Sequence, residues 1–224
     1  MVKRTICYVI MLLGCVAFNS WALTVSEVVD RVEARYASPD CQAGFFQEST
    51  LKAMDITDKA NGKVYFKKPD MMRWDYEAPE RQTIVTDGKT LWMYRPDEAQ
   101  VAVGRAADYF GGGEGLSFLS DITILRSQFQ IRFLGSTSEK VRDDQYLLKL
   151  TPNVPRSNLS YLYLWISKDT FNIVRSKVFN PFGDTTMIAF ENVQFNQNLK
   201  PSFFVFEVPK GTEVVEMAGE EAVQ

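Results

Sequence analysis

Histidine is absent from all 224 residues. With it go the commonest general base near neutral pH and the commonest zinc ligand. No G-x-S-x-G elbow, no lysine-bearing phosphate loop and no G-x-G-x-x-G turn occurs, so three large enzyme classes lack their signatures. The run Gly111-Gly112-Gly113-Glu114-Gly115 has neither the lysine nor the hydroxyl that a phosphate loop needs. Asp143-Asp144 and Glu220-Glu221 are carboxylate pairs, but they fall in an expected turn and a terminal tail and read as solvated surface. No catalytic residue, metal site or cofactor is expected. Cysteine is scarce: Cys7 and Cys15 lie in the N-terminal segment, which leaves Cys41 without an intrachain disulfide partner. With nine prolines and no low-complexity linker, the chain reads as one domain.

What is present first is an address. Lys3 and Arg4 precede an apolar stretch over 5–18 that is too short to span a bilayer, and Ser20-Trp21-Ala22 offers small residues for cleavage after Ala22. This is the pattern of a secretory signal peptide over 1–22. Leu12-Leu13-Gly14-Cys15 also resembles a lipobox, whose use would leave a lipid-anchored Cys15. After cleavage at Ala22, 23 basic side chains face 28 acidic ones, a net charge of −5. That balance argues against nucleic acid or an anionic membrane surface as the main partner.

Periodicity gives one helix and then strands. Thr24 and Glu27 form a T-x-x-E capping box, and Val25, Val28, Val29, Val32 and Tyr36 follow at helical spacing until Pro39. Strands are expected at 45–47, 62–68, 72–76, 83–86, 90–94 and 100–103. More follow at 129–133, 146–151, 159–167, 173–179, 185–193 and 203–206. Asp87-Gly88 marks a hairpin turn. About eleven antiparallel strands imply a strongly curved sheet or barrel.

Two features exceed what a simple half-buried sheet needs. Trp74 and Tyr76, like Trp92 and Tyr94, sit two apart, so each pair projects from one face of its strand. The stretch 159–166 is apolar on both faces: Leu162, Leu164 and Ile166 on one, Tyr161, Tyr163 and Trp165 on the other. Either these rings build a large core, or they line a cavity roomy enough for a lipid. Leu116, Phe118, Leu119, Ile122 and Leu125 after the glycines fit a short amphipathic helix, which either plugs one barrel end or acts as a hinged lid.

Residues along nearly all of the mature chain then resemble one family. Lys68-Pro69, Arg73-Trp74-Asp75-Tyr76, Pro79, Gln82, Ile84-Val85, Asp87-Gly88, Leu91-Trp92, Tyr94 and Gln100-Val101 stand in the order of the LolA family. Phe45-x-Gln47 before them and Phe204-x-Phe206-x-x-Pro209-x-Gly211 near the end extend the likeness. The resemblance implies a mainly β fold: an unclosed antiparallel barrel of about eleven strands capped by short helices. It further implies a monomeric periplasmic chaperone over 23–216, with an acidic, flexible tail at 217–224. Such a protein takes lipoproteins from an inner-membrane ABC transporter, holds their acyl chains in a hydrophobic cavity, and delivers them to an outer-membrane lipoprotein receptor. Met72, Trp74, Trp92, Tyr94, Leu116, Phe118 and Leu119 are the expected cavity residues. Lys68 stands where the family carries an arginine that bonds the lid helices, so Lys68, with Arg73 as helper, is the expected lid latch. The alternatives are a lipid-binding or membrane-anchored acceptor of the same fold, and a hydrolase on a barrel scaffold.

Overall fold

A computed structural model describes residues 23–110, 122, 124–134 and 139–217. Helix α1, Val25–Arg35, begins as the capping box requires: the Thr24 hydroxyl accepts from the Glu27 N–H, and the Glu27 carboxylate accepts from the Thr24 N–H at 2.8 Å. Its valines Val28, Val29 and Val32 are buried.

The strands are β1 Asp40–Leu51, β2 Ile56–Lys67, β3 Met71–Ala78, β4 Gln82–Thr86, β5 Thr90–Arg95 and β6 Gln100–Arg105. Short helices α2, Ala106–Phe110, and α3, Ile124–Gln128, follow. Then come β7 Phe129–Phe133, β8 Gln145–Pro152, β9 Tyr161–Ser167, β10 Ile173–Phe179, β11 Thr185–Phe195 and β12 Glu213–Glu216. All twelve form one curved sheet, ordered β12-β6-β5-β4-β3-β2-β1-β11-β10-β9-β8-β7, with β12 and β7 at its open ends. Every neighbouring pair is antiparallel except β12 with β6.

Turn chemistry fixes the register of the central hairpins. Between β4 and β5 the Asp87 carboxylate accepts from the N–H groups of Lys89 and Thr90, both at 2.8 Å, and Gly88 takes the positive φ of +91° that side chains resist. Between β2 and β3 the pairing shifts by one residue at Gly62. A side chain there would meet the Asp75 carbonyl oxygen at 2.0 Å and the Phe45 ring at 3.0 Å, so only glycine fits.

The core lies between α1 and one face of the sheet, here called the inner face. Val28, Val29, Val32 and Tyr36 pack there with Phe45, Val64, Phe66, Met72, Trp74, Leu148, Leu150, Leu162, Leu164 and Ile166. Ile122 and Leu125 bring the α3 region into the same cluster. At about 1.5–3 kcal/mol for each fully buried aliphatic or aromatic side chain, this cluster is the main stabilising element.

Two expectations need correction. The stretch 203–206 is not a strand: Pro201–Phe204 forms a 3₁₀ turn, opened by a proline that cannot donate to a ladder. There Phe203 and Phe204 pack edge to face at 5.4 Å, and Phe204 is fully buried. The alternation that suggested a strand is instead a set of rings docked on the outer face. The twelfth strand, Glu213–Glu216, is exposed along its whole length and so carries no hydrophobic period to reveal it.

Candidate functional site

Strand parity decides which rings can meet. Residues directly opposite across antiparallel strands share a face. The register runs Trp74 to Ile84 to Met93 to Ala102, and Met72 to Thr86 to Leu91 to Gly104. Met72 and Trp74 therefore lie together on the inner face, with Ile84 and Met93 completing an apolar wall. The Trp74 ring meets Phe45 edge-on at 4.8 Å, Phe66 at 6.0 Å and Tyr76 in a stack at 6.4 Å. Tyr76 donates to the Gln47 amide oxygen at 3.0 Å, and burial pushes its phenol up to about 12. Ile84 and Met93 are half-buried, so the wall becomes more open from β3 toward β5.

Trp92 and Tyr94 belong to the other face. Arg73 pairs with Val85, and Val85 with Trp92, which puts Trp92 on the side of Arg73 rather than of Trp74. Tyr94 contacts the Phe206 ring at 5.0 Å. The expectation of one space shared by Trp74 and Trp92 is thus corrected. The two pairs are separated by the sheet, because the tight β4–β5 turn sets an odd offset between them. Leu116, Phe118 and Leu119 lie outside the described residues, as do the glycines at 111–113 and 115.

The cationic residues also part company. Arg73 points outward: its Nε bonds Asp75 at 2.9 Å, its Nη1 donates to the Phe203 carbonyl at 3.2 Å, and its guanidinium stacks over the Phe203 ring at 4.7 Å. It secures the C-terminal 3₁₀ turn, not an inner-face helix. Lys68 stands beside Tyr36, Ser38 and Pro39, just past the end of α1. Its backbone N–H donates to the Pro39 carbonyl at 2.8 Å. Among the described residues its ammonium makes no hydrogen bond or ion pair.

The tie between the helices is one that sequence reading missed. Arg126 on α3 donates to Glu33 at 2.9 Å, to the Ser26 carbonyl at 3.0 Å and to Asp30, three groups along α1. Nothing in the local sequence around Arg126 marks it, because its partners lie about 100 residues away. Asp40 was missed as well. It is a buried carboxylate whose oxygens accept from the N–H groups of Gln197 at 2.6 Å and Leu199 at 3.0 Å, fastening the chain after β11. Beside it Cys41 is buried, and desolvation first, then the neighbouring Asp40 charge, pushes its thiol up to about 12. The pocket of about 20 Å³ against Cys41, Tyr36 and Phe66 has room for roughly one water. No group of side chains suited to a metal occurs among the described residues.

The family model for the outer membrane lipoprotein carrier protein LolA matches residues 38–207. This chain belongs to the LolA family. An outer-membrane lipoprotein carrier protein of Neisseria meningitidis serogroup C is 31% identical over 201 residues, 90% of this chain and 93% of that one. One from Nitrosomonas europaea is 30% identical over 175 residues, 78% of this chain and 81% of that one. Among solved structures, an uncharacterised conserved protein from Thermus thermophilus superposes with a TM-score of 0.55 at 17% identity. It covers 86% of this chain and 98% of that one, and it speaks for the fold alone. In this LolA-family chain no helix of the described residues is long and apolar enough to cross a membrane.

Proposed function

We infer that this chain is a periplasmic lipoprotein carrier, holding lipoprotein acyl chains against the inner face of β3 to β5 between the inner and outer membranes. The observation that carries the reading is the family match over 38–207 laid on a sheet whose inner wall is Met72, Trp74, Ile84 and Met93. Binding and release require no general base, nucleophile or metal, and the chain's inventory suits that task. A buried methylene contributes about 0.8 kcal/mol, so three acyl chains of roughly fifteen methylenes would lose on the order of 35 kcal/mol in water. A carrier must therefore hide most of that surface.

In this reading an inner-membrane ABC transporter loads the cargo and an outer-membrane lipoprotein receptor accepts it. Residues 1–22 direct export. Native mass spectrometry of the protein isolated gently from periplasm tests the proposal. A mass of the chain starting at Leu23 plus a bound lipoprotein is the expected result. Bare protein alone, or a diacylglyceryl adduct on Cys15, would favour a different lipid-handling role.

A further inference from the structure

Toward the β1–β2 turn the inner face changes from apolar to polar. Gln47 is opposite Ile188, Ile188 opposite Ser176, and Ser49 opposite Thr186, so all five side chains belong to that face. Between β3 and β1 the intervening strand β2 presents only Gly62 and Ala60. Tyr76 can therefore reach across it and donate to the Gln47 amide oxygen at 3.0 Å. The Gln47 amide nitrogen donates to the Ser49 hydroxyl at 3.1 Å, and that hydroxyl lies 3.5 Å from the one of Thr186. Whichever of Ser49 and Thr186 donates to the other, one hydroxyl hydrogen stays uncommitted among the described residues. So does the second amide hydrogen of Gln47.

Ser176 stands beside this row on β10. It is fully buried, opposite Leu164 on one side and Ile188 on the other, and its hydroxyl has no partner among the described residues. An unpaired buried hydroxyl costs stability, and here it adds a further donor next to the row. No side chain of the row is charged. Asp58, opposite Ser49, is the acidic neighbour at its rim; it is exposed and disfavours an anion there.

We propose that Gln47, Ser49, Thr186 and Ser176 form the subsite for the ester carbonyls of a lipoprotein's diacylglyceryl group. The inference rests on the carrier reading and adds a direction to it. The tails run toward Trp74 and Met72, on the α1 side of Tyr76, and the protein part of the cargo leaves past the β1–β2 turn. Ester carbonyls accept hydrogen bonds and cannot donate them, so they match the hydrogens that the row leaves over. They are also the first polar atoms beyond the tails, and fall where the wall turns from apolar to polar. Gln47, Ser49 and Thr186 are half-buried and are reached first. Ser176 is reached only when the apolar side chains over it are displaced. A phospholipid carries the same carbonyls beside a phosphate, which Asp58 disfavours.

The experiment is fluorescence titration of the purified protein with two lipopeptides that share an acetylated, uncharged peptide and equal tails. One carries two ester-linked chains on its glyceryl group, the other two ether-linked chains. Wild type should prefer the ester form by about tenfold. Thr186→Val with Ser176→Ala should reduce that preference to roughly twofold or less while binding the ether form like wild type. Unchanged ether binding shows that the fold and the apolar wall are intact. Equal affinity of wild type for the two forms overturns the subsite and leaves the carrier reading standing, whereas binding of neither overturns both. A double variant that keeps the full ester preference overturns the subsite as well. Phosphatidylglycerol with the same tails should bind more weakly than the ester lipopeptide. Tighter binding there would give the subsite to a phospholipid and overturn the proposal.

Discussion

Gly62 shows how tightly one position can be determined. The Asp75 carbonyl and the Phe45 ring occupy the space a methyl group would need, and the backbone cannot yield without breaking the β2–β3 ladder. Gly62→Ala should cost about 2 kcal/mol or more, read as a lower midpoint in urea with an unchanged slope. Cys41 is the opposite case, a reactive residue type made inert. With its thiol pushed up to about 12 by burial, very little thiolate exists at pH 8. The folded protein should resist alkylation there and react promptly once denatured. Ser176 is buried and its hydroxyl has no partner among the described residues. Ser176→Ala should therefore leave the melting temperature unchanged or raise it, because the substitution removes an uncompensated polar group.

Elements report a different mixture of what was legible. The capping box and valine stripe specified the start of α1 to the residue, since a local hydrogen-bond pattern and a local period coincide there, while the helix stops at Arg35, short of Pro39. The paired aromatics were visible as pairs, but a strand's period fixes only that Trp92 and Tyr94 share a face. Their assignment to the outer face depends on the Asp87-Gly88-Lys89 turn and on the offset across β4. Charged Arg73 and Asp75 in alternation with Trp74 and Tyr76 did signal an outer face, and Trp92 follows them through Val85. Arg126 had no such signal, because a long-range clamp has no sequence period. Arg126→Ala should loosen α3 from α1, lower stability by about 1 kcal/mol given its partial exposure, and speed hydrogen exchange in α1 more than in β8 to β10.

Across the whole molecule, the open sheet has two differently furnished faces. The inner face is apolar, packed against α1 from β1 to β9, and less covered at Ile84 and Met93. The outer face is closed over β2 to β6 by the rings of 201–206, and aromatic and cationic over β7 to β10. The stretch 159–166 is apolar on both sides because it serves both faces: its leucines enter the core, and its tyrosines lie on the outside. The central claim is that acyl chains meet the inner face and not the aromatic pair at Trp92 and Tyr94. Adjacent residues on β5 separate these possibilities. Fluorescence titration of a triacylated lipopeptide should show Met93→Gln weakened about tenfold, the cost of burying an unpaired amide against the chain. In the same titration Tyr94→Gln should bind like wild type. Loss of binding in Tyr94→Gln with full binding in Met93→Gln would contradict the account.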